Sequence, residues 1–152
     1  MQSVLLVCTA NQCRSPMAMA ILKSKIAQLP GDWKIESAGT WAVEGAPANQ
    51  KTQQVMAELG LDLQNHRSRI VTREMLIAFN LILVMEPGHK ESLHIEFPEV
   101  APRVFLLSEM ISLSFTIMDP VGGEIEGYRA TAREIECIII EGFEKIVSLA
   151  QA

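Results

Sequence analysis

The chain has no apolar run as long as a membrane span, so a spanning helix is not expected. Its start lacks a basic region followed by a long apolar core, and no secretory signal is read there. Cysteines number only three, too few for a disulfide framework, which points to a reducing, cytoplasmic setting. Positive charge is not in excess either. The net charge of −5 argues against a nucleic-acid surface. A small anionic substrate remains compatible with that charge, because local N–H groups and one arginine outweigh the global balance. There is no internal repeat, low-complexity tract or linker. What is present is a chain of 152 residues, 49% hydrophobic and 20% charged. It reads as one domain, 1–152, with its own core, and a monomer is favoured.

Val4 to Val7 is a short continuous apolar run, as in a strand covered on both faces. Ser15-Pro16 reads as N-cap and first residue of a helix whose stripe is Ala18, Ile21, Leu22, Ile26 and Leu29, ended by Pro30-Gly31. Trp33 to Ser37 is a second strand. A helix from about Pro47 carries Val55, Met56 and Leu59 and stops at Gly60. Leu81 to Met85 is a deeply buried strand, Pro87 opens a short helix, and Val104 to Leu107 is a fourth strand. One long final helix carries Ile125, Tyr128, Ile135, Ile139, Phe143 and Ile146. The alternation predicts an α/β fold, a three-layer αβα sandwich around a four-stranded parallel sheet. Ligands in such sheets bind beyond the C-terminal strand ends, next to a helix N-terminus.

Cys8-Thr9-Ala10-Asn11-Gln12-Cys13-Arg14-Ser15 lies at such a place, between the first strand and the first helix. A loop of this kind points backbone N–H groups inward, and with the helix dipole they form an anion nest that fits a phosphate. The same donors would stabilise the reactive thiolate of Cys8 at its base. Arg14 offers a planar fork for two phosphate oxygens, which lysine does not. Ser15 can offer a hydroxyl to the sulfur. The chemistry expected is attack of sulfur on phosphorus, giving a phosphocysteine that water then hydrolyses. Asp119, held extended by Pro120 in a glycine-containing loop after the fourth strand, is placed to give a proton to the leaving group and later to act as base on the water. The blander readings are a small buried cysteine at a strand end and an Asp-Pro turn. No nucleotide, metal or organic cofactor is implied, since positioning and electrostatics suffice for this transfer. Cys8 and Cys13 lack a second ligand pair at metal-binding spacing.

The chain resembles the low-molecular-weight protein tyrosine phosphatases over nearly its whole length. The likeness rests on C-T-A-N-Q-C-R-S-P-M-A, E-S-A-G-T, L-G-L-D-L-Q-N-H-R-S-R, L-I-L-V-M-E-P-G-H and M-D-P. It implies Cys8 as nucleophile, Arg14 as phosphate and transition-state binder, and Asp119 as general acid, acting on a phosphoprotein. It implies Thr9 to Ser15 as the phosphate-binding loop, with Asn11 in a left-handed conformation that asparagine tolerates. It implies that Ser15, Ser37 and His66 hydrogen-bond around Asn11. It also implies a reversible Cys8–Cys13 disulfide as a redox switch. Cys137, among isoleucines on the last helix, reads as core.

The sequence departs from that family at three places. Ala10 stands where many members have glycine and requires a negative φ. Gln12 stands where tyrosine phosphatases commonly carry an apolar β-branched residue and protein-arginine phosphatases carry threonine. Val121 and Gly122 follow Asp119-Pro120, where phosphotyrosine-specific members place aromatics. Trp41 is then the aromatic candidate for a pocket wall opposite Val121, and Tyr128 can face the core instead. A thin wall weakens the stacking by which such pockets prefer an aryl phosphate. Phosphotyrosine hydrolysis is the leading expectation. A protein-arginine phosphatase is the nearest rival, with a thiol-dependent arsenate reductase and a non-catalytic phosphate-binding domain behind it. Arsenate reduction is disfavoured because Cys137 is the only cysteine beyond the loop.

Overall fold

The computed structural model describes residues 1–151. Four strands, β1 Gln2–Cys8, β2 Trp33–Gly39, β3 Leu81–Val84 and β4 Val104–Leu106, form one sheet. All pairings are parallel and the order is β2-β1-β3-β4. The helices are α1 Arg14–Ile26, α2 Gln50–Glu58, α3 Arg73–Ala78, α4 Pro87–Glu96, α5 Ile125–Glu141 and α6 Phe143–Gln151, with 3-10 turns at Pro98–Arg103 and Leu107–Ile111. This is the expected three-layer α/β sandwich.

The period of two along β1 builds the layers. Val4, Leu6 and Cys8 join the core beneath α1, α5 and α6, with Met17, Ile21, Ile135 and Ile146. Leu5 and Val7 face the other way, into a cluster with Leu76, Phe79, Leu93 and Phe97 from the α3 and α4 side. Both faces are covered, so β1 carries no polar residue between Val4 and Val7. The register places Cys8 beside Gly39 and Val7 beside Val84, so three strands end at one edge. Because β1 leads outward to β2 while β3 lies on its other side, the end of β1 is the switch point of the sheet.

Several expectations need correction. Ser15 is not the N-cap of α1: the helix begins at Arg14 after Cys13, without a side-chain cap, because the Ser15 hydroxyl is engaged inside the loop. Pro16 still falls in the first turn, where its missing N–H costs no helical bond. The helix ends at Ile26, short of Pro30-Gly31. The helix expected from Pro47 begins at Gln50, since Asn49 caps it by accepting from the Lys51 N–H. The final helix is two helices, α5 and α6, divided at Gly142. A Cβ on Gly142 would lie 2.7 Å from that of Met110, so the chain bends where only glycine lets the 3-10 turn approach. Cys137 is exposed rather than core, because it sits one step off the buried stripe of Ile135, Ile138 and Ile139. Helix α3 was not anticipated. It is a short element capped by Thr72, whose side chain accepts from the Met75 N–H.

Candidate active site

Cys8 ends β1 and is almost wholly buried at 3% exposure. It forms part of a small pocket of about 60 Å3 whose other walls are Ala10, Gln12, Cys13, Arg14, Asp119 and Val121. Larger grooves exist on the surface, one of about 480 Å3 beside α4. They are more open, and none of them is lined by a cysteine among the described residues. The small pocket alone gathers a thiol, a guanidinium and a carboxylate. Among the described residues, the backbone N–H groups of residues 10–13 meet no acceptor. They remain available to an anion, with the start of α1 behind them.

Asn11 holds the loop in shape. Its φ is 59°, left-handed, and Ala10 beside it does not share that conformation. The Asn11 Nδ2 donates to Ser15 Oγ at 2.8 Å and to Ser37 Oγ at 2.9 Å. Its Oδ1 accepts from the Arg69 N–H at 3.1 Å. Its carbonyl oxygen accepts from His66 Nε2–H at 2.8 Å. Every polar group of the side chain is thus used, which offsets the cost of the conformation. Burial and neighbouring cations hold the His66 pKa below its ordinary value. A neutral ring still has one N–H to give to Asn11. Ser15 Oγ in turn lies 3.0 Å from Cys8 Sγ. Gly39 lets the loop pass over β2: a Cβ there would sit 2.3 Å from the Thr9 carbonyl oxygen.

Arg14 is only 2% exposed and its fork is fixed. Nη1 donates to Glu86 Oε2 at 2.6 Å and to the Ile117 carbonyl at 2.7 Å. Nη2 lies 3.5 Å from Thr9 Oγ1 and 3.7 Å from Asp119 Oδ2. The Ile117 N–H donates to the Met85 carbonyl, so the segment leading to Asp119 is tied to the end of β3. Beyond it the Asp119 carboxylate accepts from the Val121 N–H at 3.1 Å. Lys51 Nζ, from α2, donates to the Gly123 carbonyl at 2.7 Å and holds the far side of this loop.

Residues 3–148 match the family described as low molecular weight phosphotyrosine protein phosphatase. The chain belongs to this family. It is 40% identical to a protein-arginine-phosphatase of Geobacillus stearothermophilus, over 94% of this chain and 95% of that protein. It is 35% identical to a probable low molecular weight protein-tyrosine-phosphatase of Ralstonia nicotianae, over 89% of each. A solved low molecular weight protein tyrosine phosphatase from T. tengcongensis superposes with a TM-score of 0.90 at 39% identity, covering 95% of this chain and 99% of that one.

The pocket also involves residues that the sequence alone did not single out. Glu86, His89 and the Ile117 carbonyl surround Arg14 and Thr9. A signal existed for Glu86: a carboxylate directly after the apolar run Leu81 to Met85, at a strand end next to β1. The Arg69 N–H had none, since backbone groups look alike in sequence. At the mouth, Val121 lines the pocket while remaining 61% exposed. Trp41 does not line it. Its N–H donates to the Thr9 carbonyl, but its side chain is 83% exposed. Tyr128 is buried in the core. Burial pushes the Cys13 thiol up to about 11, so it stays protonated at neutral pH.

Proposed function

We propose that the chain acts as a single-domain cytoplasmic phosphatase that removes phosphate from phosphotyrosine on proteins through a phosphocysteine. The observation that carries this reading is the placing of the Cys8 sulfur, the Arg14 guanidinium and the Asp119 carboxylate around one small pocket lined by unpaired N–H groups. The phosphoryl group sits in the loop, with its oxygens on the N–H groups and on the Arg14 fork. Cys8 Sγ attacks phosphorus in line with the leaving oxygen, and the P–O bond breaks as the S–P bond forms. Asp119 gives its proton to the departing oxygen. Asp119 then takes a proton from water, which attacks phosphorus and releases phosphate and the Cys8 thiolate. Ser15 steadies that thiolate as it leaves. By its family resemblance, Cys13 supplies the partner for a protective disulfide with Cys8.

A second substrate is favoured by one observation. Among the described residues no aromatic side chain lines the pocket, and Gln12 is part of its wall. Both suit phosphoarginine, whose leaving nitrogen accepts the same proton. The relative from Geobacillus stearothermophilus, named a protein-arginine-phosphatase, supports this alternative. Phosphate release from matched phosphotyrosine and phosphoarginine peptides decides between them, with Cys8→Ser as the blank. Faster release from phosphotyrosine upholds the main reading. Faster release from phosphoarginine transfers the chain to the second. No Cys8-dependent release from either, in folded protein, overturns both.

A further inference from the structure

The two arms of the Arg14 fork are held unequally. Nη1 makes two short bonds, to Glu86 and to the Ile117 carbonyl. Among the described residues Nη2 has a single hydrogen-bonding neighbour, Thr9 Oγ1 at 3.5 Å, and it is also the arm nearest Asp119. The angle of the fork about its fixed arm therefore depends on where the Thr9 hydroxyl stands. That hydroxyl is not free, for it lies 2.8 Å from His89 Nε2.

We propose that His89 is a positioning residue for the phosphatase reaction, setting Arg14 through the Thr9 hydroxyl. The inference rests on the reading of Cys8 and Arg14 above. His89 lies in the first turn of α4, and its N–H donates to the Glu86 carbonyl. One helix start thus supplies both holds on the arginine: Glu86 directly on Nη1, and His89 through Thr9 on Nη2. The ring is 5% exposed, and its Nδ1 has no partner among the described residues. An apolar residue would fill the same space without leaving a buried polar atom unpaired, which ordinarily costs stability. The imidazole gains only the bond to Thr9.

Burial keeps the ring neutral at working pH, with its pKa down at about 4. One ring nitrogen then donates and the other accepts. The Nε2–H tautomer fits the network best. Thr9 Oγ1 then accepts from His89 and from Arg14, and its own proton is free to point toward a substrate oxygen. The atom left without a partner is the Nδ1 lone pair.

The test compares His89→Leu, His89→Gln, Thr9→Val and the Thr9→Val/His89→Leu double variant. It reads kcat and KM on an aryl phosphate, thermal stability, and the affinity for inorganic phosphate by calorimetry. Loss of one hydrogen-bonded hold predicts a fall in kcat of roughly tenfold for His89→Leu. Glutamine, whose amide reaches the position of Nε2, recovers most of it. Thr9→Val loses a similar factor, and His89→Leu adds nothing further in that background. Phosphate affinity moves in the same order. Wild-type kcat in His89→Leu, losses that multiply in the double variant, or no recovery by glutamine would each overturn the proposal. Should His89→Leu fail to fold, the comparison of wild type with Thr9→Val and His89→Gln decides: an unchanged kcat in Thr9→Val overturns it. Absence of Cys8-dependent turnover in the wild type sinks the phosphatase reading instead, and the phosphate affinities still judge His89.

Discussion

The floor of the pocket and its mouth are built on opposite terms. On the floor, Cys8, Asn11, Arg14 and Ser15 are buried, and each side chain meets a partner at a defined distance. At the mouth, Val121 lines the pocket yet stands largely in solvent. Catalysis by charge stabilisation requires donors fixed in advance, because reorienting them during the reaction forfeits the gain. Choice of substrate makes no such demand, and a few exposed side chains can change without disturbing the fold. The difference teaches that the chemistry of this phosphatase is anchored in the fold, while its specificity is laid over it.

The strongest way to break the floor is Arg14→Lys. Charge is kept, but the planar fork that joins Glu86, Ile117 and Thr9 is lost. A fall in kcat on the order of 10²–10³ is expected, as for other preorganised donors. A loss confined to KM would show that Arg14 only collects substrate.

The second test uses pH. His89 and His66 both sit below their ordinary range in the folded chain, chiefly because burial disfavours the charged ring. The unfolded chain therefore takes up protons first, and the stability these rings contribute is complete above pH 6.5 and falls at lower pH, for His89 down toward 4. At pH 5 the share of His89 is about 2 kcal/mol. Thermal melts at pH 7 and pH 5 should differ by several degrees in the wild type and by less in His89→Gln. Equal shifts in both would remove His89 from the acid response.

A finer cut separates backbone from side chain at Asn11. Asn11→Ala loses the bonds to Ser15 and Ser37 and also strains a residue whose φ is 59°. Asn11→Gly loses the bonds alone. The two should differ in stability by about 1 kcal/mol in favour of glycine. Chemical denaturation measures it, and a difference near zero would mean that the loop abandons the left-handed turn once its bonds are gone.

The same contrast explains what could be read from the sequence. The four strands and their parallel pairing were legible, because strands buried on both faces leave continuous apolar runs such as Leu81 to Met85, whereas their order in the sheet was not. That Cys8, Arg14 and Asp119 meet at one pocket was legible, because Cys8 ends a buried strand, Arg14 follows at the start of the next helix and Asp119 stands before a proline in a loop after the fourth strand. Helix ends were less so: Ser15 resembles a cap, but its hydroxyl serves Cys8 and Asn11. The break at Gly142 was hidden within a stripe that continues on either side, since only the approach of Met110 explains it. Glu86 and His89 act from the start of α4 on residues some seventy to eighty positions earlier in the chain, at separations of 72 and 80. Local pattern marks Glu86 as a carboxylate beyond a buried strand, but it does not show which residue of the loop it meets.

The smallest effects are expected at the mouth, and there the comparison can be sharpened rather than broken. Val121→Tyr adds a ring beside the pocket without touching the groups that hold Arg14 or Asn11. A stacked aromatic pair is worth about 0.5–1.5 kcal/mol, so the ratio of kcat/KM for phosphotyrosine over phosphoarginine peptides should rise by roughly 2- to 12-fold. Gln12→Ile, which removes the Gln12 amide, should move the ratio in the same direction by less. Thermal stability should be unchanged in both, because neither side chain is part of the core. If either variant instead lowered turnover on both peptides alike, the mouth would be part of the catalytic frame, and the division between anchored chemistry and overlaid specificity would fail.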